Sequence, residues 1–184
     1  MERLHIDNIL KISRLISELE YEKAASLYGR LRWMVKDDES LRPIKEHLKY
    51  LIKQYESDHW NNEPEITEEQ IKESDIAEKI ISAENEFIQK RKELIKAKLK
   101  ENNLSQKDLA KILGHRPNYM SELMNGIRPF SKDDLIVIHR LFGIPLKYLV
   151  PPFIKREVIN HIKQTLKELE KENTKLKIAD IESI

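Results

Sequence analysis

Cysteine is absent from the 184-residue chain, and glycine and aromatic residues are scarce. Without cysteine, the chain can form neither disulfides nor cysteine-ligated zinc sites. Four glycines, with 35% charged and 40% hydrophobic residues, are typical of a soluble helical protein rather than a sheet protein. Because no long apolar run marks a signal peptide or a membrane span, we expect a cytoplasmic protein with no membrane partner.

A helix-turn-helix pattern occupies residues 104–126, with the sequence LSQKDLAKILGHRPNYMSELMNG. Ser105 and Asp108 have the spacing of a capping box at the start of a first helix. Gly114 provides the left-handed residue that commonly ends a helix, and Pro117 fits the first turn of a second helix. Two short helices joined by a glycine turn are typical of this motif. The residues of the second helix expected to face inward are Met120, Leu123 and Met124.

The order of these residues resembles the Cro/Xre class of phage-repressor DNA-binding domains: LSQ-x-x-LA-x-x-LG, a second helix, then NG and an arginine. The following FSKDDLIVIHRLFGIPLKYLVP resembles the fourth and fifth helices of that class, so the resemblance covers about residues 85–151. It implies a five-helix fold and binding to double-stranded operator DNA. One departure lies in the turn, where His115-Arg116 replaces the usual Ser, Thr or Asp and weakens the helix cap.

The resemblance also implies a set of DNA-contacting residues. The first residues of a recognition helix read bases in the major groove, where Asn can pair with adenine and Glu with cytosine. Glu122 would be repelled by phosphates, so it is expected to face a base or to form an ion pair. The alternative is a helix-turn-helix used only for protein packing. The implied base-reading residues are Arg116, Pro117, Asn118, Tyr119, Ser121 and Glu122. The implied phosphate contacts are Gln106, Asn125, Gly126, Arg128 and Lys132.

Hydrophobic periodicity and composition predict an all-α chain in four parts. The first helix is predicted over about residues 6–19, and a long helix is predicted over about residues 76–100. The acidic segment between them is broken by Pro64. The four parts are an N-terminal three-helix domain (1–60), an acidic linker (61–75), a five-helix Cro/Xre-type helix-turn-helix domain (76–151) and a C-terminal amphipathic helix (152–184).

The C-terminal helix carries residues at alternating steps of three and four, which is the spacing of a coiled-coil seam. One helix-turn-helix contacts only a few base pairs, so a homodimer is expected, and this seam is a candidate for its contact. An amphipathic helix packed on its own domain is the alternative, because the segment is short for an isolated coiled coil. The seam residues are Ile159, Ile162, Leu166, Leu169, Asn173 and Leu176.

The net charge of +1 conceals two segments of opposite sign. Residues 61–80 contain two basic and seven acidic residues, whereas residues 104–151 contain seven basic and four acidic ones. The layout is similar to HigA-like antitoxins of inverted gene order, which implies autorepression of the operon and neutralisation of an mRNA-cleaving toxin. Residues 1–75 are then expected to bind a basic ribonuclease toxin and to be dispensable for DNA contact.

Two other functions stay open: a helix-turn-helix repressor with a sensing or partner-binding N-terminal domain and no toxin, and a scaffold that only joins proteins. The six histidines show no metal-ligand spacing, and the sequence contains no P-loop or catalytic constellation. We therefore expect a non-enzymatic protein with no catalytic residues, metal or cofactor. A ribonuclease-like product of the neighbouring gene would favour the antitoxin hypothesis.

Overall fold

The computed structural model of the chain describes residues 4–61, 66–154 and 156–169. Within these ranges the chain is helical, which confirms the predicted all-α class. The α-helices are α1 (Glu18–Met34), α2 (Arg42–His59), α3 (Glu68–Glu101), α4 (Gln106–Ile112), α5 (Pro117–Met124), α6 (Lys132–Phe142) and α7 (Arg156–Leu169). Short 3-10 turns lie at Ile9–Lys11, Glu39–Leu41 and Leu146–Tyr148.

Residues 4–61, here called the N-terminal module, pack α1 against α2 around one hydrophobic core. Ser17 starts α1 by accepting a hydrogen bond from the backbone N–H of Glu20 (3.2 Å), and Pro43 lies in the first turn of α2. Leu31 on α1 and Leu48 on α2 are fully buried. The module is therefore held by apolar burial between two helices.

The first helix predicted for this module, over residues 6–19, is not an α-helix. The segment forms one 3-10 turn at Ile9–Lys11 and then runs as irregular chain to Ser17. The carbonyl of Ile12 accepts a hydrogen bond from the His47 ring (2.8 Å), which fixes the segment against α2. A face of an α-helix alternates steps of three and four, whereas the buried residues here recur only at steps of three. They are Ile6, Ile9, Ile12 and Leu15.

Helix α3 joins the two halves of the chain. Thr67 caps it by accepting a hydrogen bond from a backbone N–H three residues on (3.2 Å). Its 34 residues extend about 51 Å at 1.5 Å per residue. It packs along α1, and its last turns enter the helix-turn-helix core through Ile95 and Leu99. The acidic linker predicted over residues 61–75 therefore continues as helix from Glu68 onward, where acidic residues suit the helix dipole.

The helix-turn-helix domain folds around a second core, made by α3, α4, α5 and α6. The predicted capping box at the start of α4 is confirmed, because Ser105 and Asp108 each accept a hydrogen bond from the other's backbone N–H (3.2 and 2.9 Å, respectively). The inward face predicted for α5 is also confirmed. Its fully buried residues are Met120, Leu123 and Met124.

Helix α7 carries four of the six predicted seam residues, and it makes no extensive contact with the other described helices. Ile159, Ile162 and Leu166 are half-buried, whereas Leu169 is 53% exposed. Asn173 and Leu176 lie outside the described residues. Among the residues placed by the structure, no helix is both long enough and apolar enough to cross a membrane.

Candidate nucleic-acid interface

The turn between α4 and α5 leaves the first turn of α5 facing solvent. Gly114 has the predicted left-handed conformation (φ +71°), and the backbone N–H of His115 donates to the Ala110 carbonyl (2.8 Å). Pro117 occupies the first position of α5, where its missing N–H costs nothing. The exposed residues at the start of α5 are Arg116, Pro117 and Asn118.

His115, which departs from the usual turn sequence, fixes the orientation of α5 through tertiary contacts. Its Nε2 lies 2.9 Å from Oδ1 of Asp134, and its ring lies 5.0 Å from the ring of Tyr119. The other carboxylate oxygen of Asp134 accepts from the backbone N–H of Ser131 (3.1 Å) at the start of α6. The turn is therefore tied directly to the capping box of α6.

Four of the six implied base-reading residues lie together at the exposed start of α5, and the other two lie deeper. Arg116, Pro117 and Asn118 are joined by Tyr119, which is 37% exposed. Ser121 is half-buried. The exposed group offers a guanidinium, an amide and a phenol to a partner, which are hydrogen-bonding groups suited to base edges or phosphates.

Glu122 is buried, with 9% of its surface exposed, and its carboxylate accepts from Nε of Arg128. Its backbone carbonyl accepts from the N–H of Ile127 (2.9 Å). Of the two arrangements considered for Glu122, the structure therefore places it in the ion pair. In this position it supports the chain that follows α5.

Arg128 is surrounded by acidic and aromatic partners. Besides Glu122, it donates from Nη1 and Nη2 to the two carboxylate oxygens of Asp7 (2.8 and 2.7 Å), and its guanidinium lies 5.6 Å from the Tyr119 ring centre. The bonds to Asp7 and Glu122 raise the pKa of Arg128, and the bond from Arg128 lowers the pKa of Asp7. The Asp7 carboxylate thus occupies the paired donors that a phosphate would use.

The other implied phosphate contacts fall into two groups. Gln106 is half-buried at the first position of α4, and Lys132 is exposed at the first position of α6. Asn125 and Gly126 follow α5 and are instead engaged within the protein. The Asn125 side chain accepts from Nζ of Lys92 (2.6 Å) and donates to the Ser121 carbonyl (2.8 Å).

Arg30 on α1 connects the N-terminal module to the end of α5. Its Nη1 donates to the carbonyls of Gly126 (2.8 Å) and Asn125 (3.3 Å). A side chain at Gly126 would have no room, because a Cβ there would lie 2.7 Å from the Ile88 side chain and 2.8 Å from Arg30. Ile127, the next residue, is buried in the core of the N-terminal module.

A second acidic contact reaches α5 itself. Nδ2 of Asn118 donates to the carboxylate of Asp38 (2.9 Å), which lies between α1 and α2. The N-terminal module therefore touches members of both implied DNA-contacting sets. Residue 75 lies within α3, so the predicted boundary between the acidic linker (61–75) and the helix-turn-helix domain (76–151) falls inside one helix.

Sequence reasoning missed the residues that hold the interface from outside the helix-turn-helix. Arg30 and Lys92 lie on helices with many similar cations, and Asp7 is 121 residues from its partner Arg128. Periodicity and capping patterns report only local structure, so none of these contacts had a signal in the sequence. The one related prediction was for Glu122, because an ion pair with a cation was one of its two expected arrangements.

Comparison with known proteins identifies one domain. Residues 95–149 match the helix-turn-helix family model HTH_3, which spans the end of α3 to the 3-10 turn after α6. No curated protein and no solved structure gives a significant match to the chain. The family match supports the Cro/Xre resemblance of this segment and supports a DNA-binding regulator of transcription.

Proposed function

We propose that the chain is a sequence-specific transcriptional repressor that reads operator DNA with the first turn of α5. The observation that carries this proposal is the exposure of Arg116, Pro117 and Asn118 at the start of α5, a helix whose opposite face is fully buried. A recognition helix needs this division, because its inner face must be fixed before its first residues can enter the major groove.

The chemistry of the exposed group suits base reading. An Asn amide presents one donor and one acceptor, which match N7 and N6 of adenine, and an Arg can bind guanine or a phosphate. Lys132 and the backbone N–H groups of the first turn of α4 would contact the DNA phosphates. Specificity would then come from Arg116 and Asn118, and position along the duplex from the other groups.

The test is binding of the full chain to a duplex from its own promoter, compared with a scrambled duplex of equal composition. Asn118→Ala should lower the affinity for the promoter and leave the affinity for the scrambled duplex nearly unchanged. Lys53→Ala, which removes a charge from the exposed surface of α2, is the control and should change neither affinity. Equal losses on both duplexes for Asn118→Ala would show that α5 does not read sequence.

We also propose that the repressor is a homodimer joined through α7. Ile159, Ile162, Leu166 and Leu169 follow each other at steps of three and four on a helix that leaves them only partly covered. A second copy of the same helix would cover this stripe, and two domains would provide the two half-sites that useful affinity requires. The test is the mass of the full chain in sedimentation, with Leu166→Glu as the disrupting variant.

The antitoxin role is a narrower proposal, and the charge of α3 favours it. The first turns of α3 carry exposed carboxylates, so the acidic segment from Glu68 onward is a negatively charged helix end. A toxin that cleaves RNA needs a cationic surface, which such a helix end could cover. The carboxylates are Glu68, Glu69, Glu73 and Asp75.

The antitoxin proposal is tested with the full chain and the product of the adjacent gene. Replacing the four carboxylates by their amides should abolish co-purification of the two proteins and leave promoter binding intact. A neighbour that co-purifies equally with this variant would contradict the proposed surface. If the product of the adjacent gene does not bind even the natural chain, the result favours a repressor whose N-terminal domain senses another signal or partner.

A further inference from the structure

Two carboxylates of the N-terminal module are bonded to residues that the Cro/Xre resemblance implies to contact DNA, Arg128 at a phosphate and Asn118 at a base. Asp7 accepts two hydrogen bonds from Arg128 (2.7 and 2.8 Å), and Asp38 accepts one from Asn118 (2.9 Å). Both contacts join residues 80 or more positions apart, so they exist only because the N-terminal module lies against the helix-turn-helix.

Each contact engages a side chain that DNA would need. Arg128 gives Nε to Glu122 and both Nη groups to Asp7, so no paired edge of its guanidinium is left for a phosphate. Asn118 donates one of its two Nδ2 hydrogens to Asp38, which holds the amide toward that carboxylate, whereas bidentate reading of adenine requires the amide nitrogen and oxygen to face the base together. A carboxylate and a phosphate cannot occupy the same donors together.

The position of the two carboxylates is set by a larger contact. Ile127 is 6% exposed within the core of the N-terminal module, and Arg30 holds the carbonyl of Gly126 at 2.8 Å. The acidic contacts themselves are weaker, because the Asp7 side chain is 58% exposed and is screened by solvent. The bonds of Asp7 and Asp38 can therefore break while the buried contact at Ile127 and Gly126 stays intact.

The remaining part of the proposed DNA surface stays accessible. Arg116 and Lys132 are exposed, so a duplex can first meet these cations and then compete for Arg128 and Asn118. We propose that Asp7 and Asp38 hold the DNA-facing surface in an autoinhibited arrangement, which operator DNA must displace. This inference rests on the proposed function, since it assumes that Arg128 and Asn118 contact DNA.

The experiment measures the dissociation constant of the full chain for its promoter duplex and for a scrambled duplex at fixed salt. The variants are Asp7→Asn, Asp38→Asn and the double variant. Asn at position 38 keeps the oxygen that accepts from the backbone N–H of Ser40 (3.1 Å), so the local turn is preserved. Asp37→Asn is the matched control, because it removes the same charge one residue away and leaves the Asp38–Asn118 bond in place.

We expect promoter binding to tighten about threefold for each single variant and about tenfold for the double variant, as exposed polar contacts allow. Asp37→Asn should tighten binding by less than either. The inference is overturned if Asp7→Asn and Asp38→Asn change affinity no more than Asp37→Asn does, because the gain would then be only general charge.

A measurement without DNA separates this inference from the proposed function. In a double-mutant cycle, Asp7→Asn and Arg128→Gln should have non-additive effects on thermal unfolding if their contact forms in solution. Additive effects would overturn the inference while leaving promoter recognition untouched. If the cycle shows the contact but the natural chain and all variants bind the promoter and the scrambled duplex with equal affinity, the proposed function fails. The contact would then have no inhibitory role in sequence recognition.

Discussion

Gly126→Ala provides a sharp test of how the N-terminal module is joined to the helix-turn-helix. Gly126 has a left-handed backbone (φ +67°), and an added Cβ would lie 2.7 Å from Cδ1 of Ile88 and 2.8 Å from Nη1 of Arg30. Both atoms are the ends of side chains, so the cost depends on what each side chain must give up when it moves. Ile88 belongs to the long helix α3, and Arg30 is bonded to the carbonyl of Gly126 itself.

The expected cost has two parts. Placing Ala in a left-handed conformation costs about 1 kcal/mol. Relieving the overlap costs about 2 kcal/mol more, within the range of overpacking, because Arg30 would have to give up its bonds to the carbonyls of Gly126 and Asn125. Gly126→Ala should therefore lower the free energy of unfolding by about 3 kcal/mol and the Tm by about 6–12 °C for a chain of this length.

The chain provides a matched control for the first part alone. Gly114 has a similar conformation (φ +71°), but a Cβ there would meet nothing within 4 Å. Gly114→Ala should therefore cost only about 1 kcal/mol, measured like Gly126→Ala by urea unfolding followed by far-UV circular dichroism. Equal losses for the two variants would refute the close contact between Gly126, Arg30 and Ile88.

Three further predictions concern binding, assembly and pH. Arg128→Ala should weaken binding to every duplex equally and lower the slope of log affinity against log salt by about one phosphate contact. Asn118→Ala should instead cost about 1–3 kcal/mol of binding free energy on the promoter alone. Both are measured by fluorescence anisotropy on the promoter and the scrambled duplex, and equal losses on the two duplexes for Asn118→Ala would contradict this distinction. Removing residues 157–184 should lower the mass in sedimentation to that of one chain, and an unchanged dimer would move the contact away from α7. Burial and the hydrogen bond to Glu56 raise the pKa of Tyr21 from 10.0 to about 12, so stability that is present below pH 10 should be lost as the pH rises towards 12. Tyr21→Phe should reduce this alkaline loss in urea unfolding without removing it, because burial also raises the pKa of Tyr55, and an unchanged pH profile would contradict the assignment.

Local signals in the sequence were sufficient for the helix-turn-helix. The Ser105–Asp108 capping box, the left-handed Gly114 and Pro117 at the start of α5 all depend on residues a few positions apart. Such features are encoded by the backbone preferences of single residue types, so a pattern of spacing predicts them. The family match at residues 95–149 agrees with the helix-turn-helix predicted there.

The N-terminal module was predicted less well, for a physical reason. Apolar residues at residues 6–19 were interpreted as a helical face, but their burial against α2 is achieved by a 3-10 turn and irregular chain. Tertiary packing decided between these conformations, and periodicity could not. The part of the acidic segment from Glu68 onward is likewise helical, with Thr67 as its cap and α1 packed against the same helix.

The candidate site was predicted in part. Its exposed members at the start of α5 follow from helix geometry and from the resemblance. The contacts of Arg128 with Asp7, and of Asn118 with Asp38, depend on how two modules lie against each other. Long-range ion pairs leave no periodic trace, so only the structure brings these residues together.

The most direct test of the central claim is a salt titration of the full chain on its own promoter duplex and on a scrambled duplex. If α5 reads sequence, the promoter should be bound about a thousandfold more tightly at physiological salt, and Asn118→Ala should reduce that ratio. Both affinities should fall with added salt, because phosphate contacts release counterions. Equal affinities for the two duplexes at every salt concentration would contradict the claim that this chain is a sequence-specific repressor.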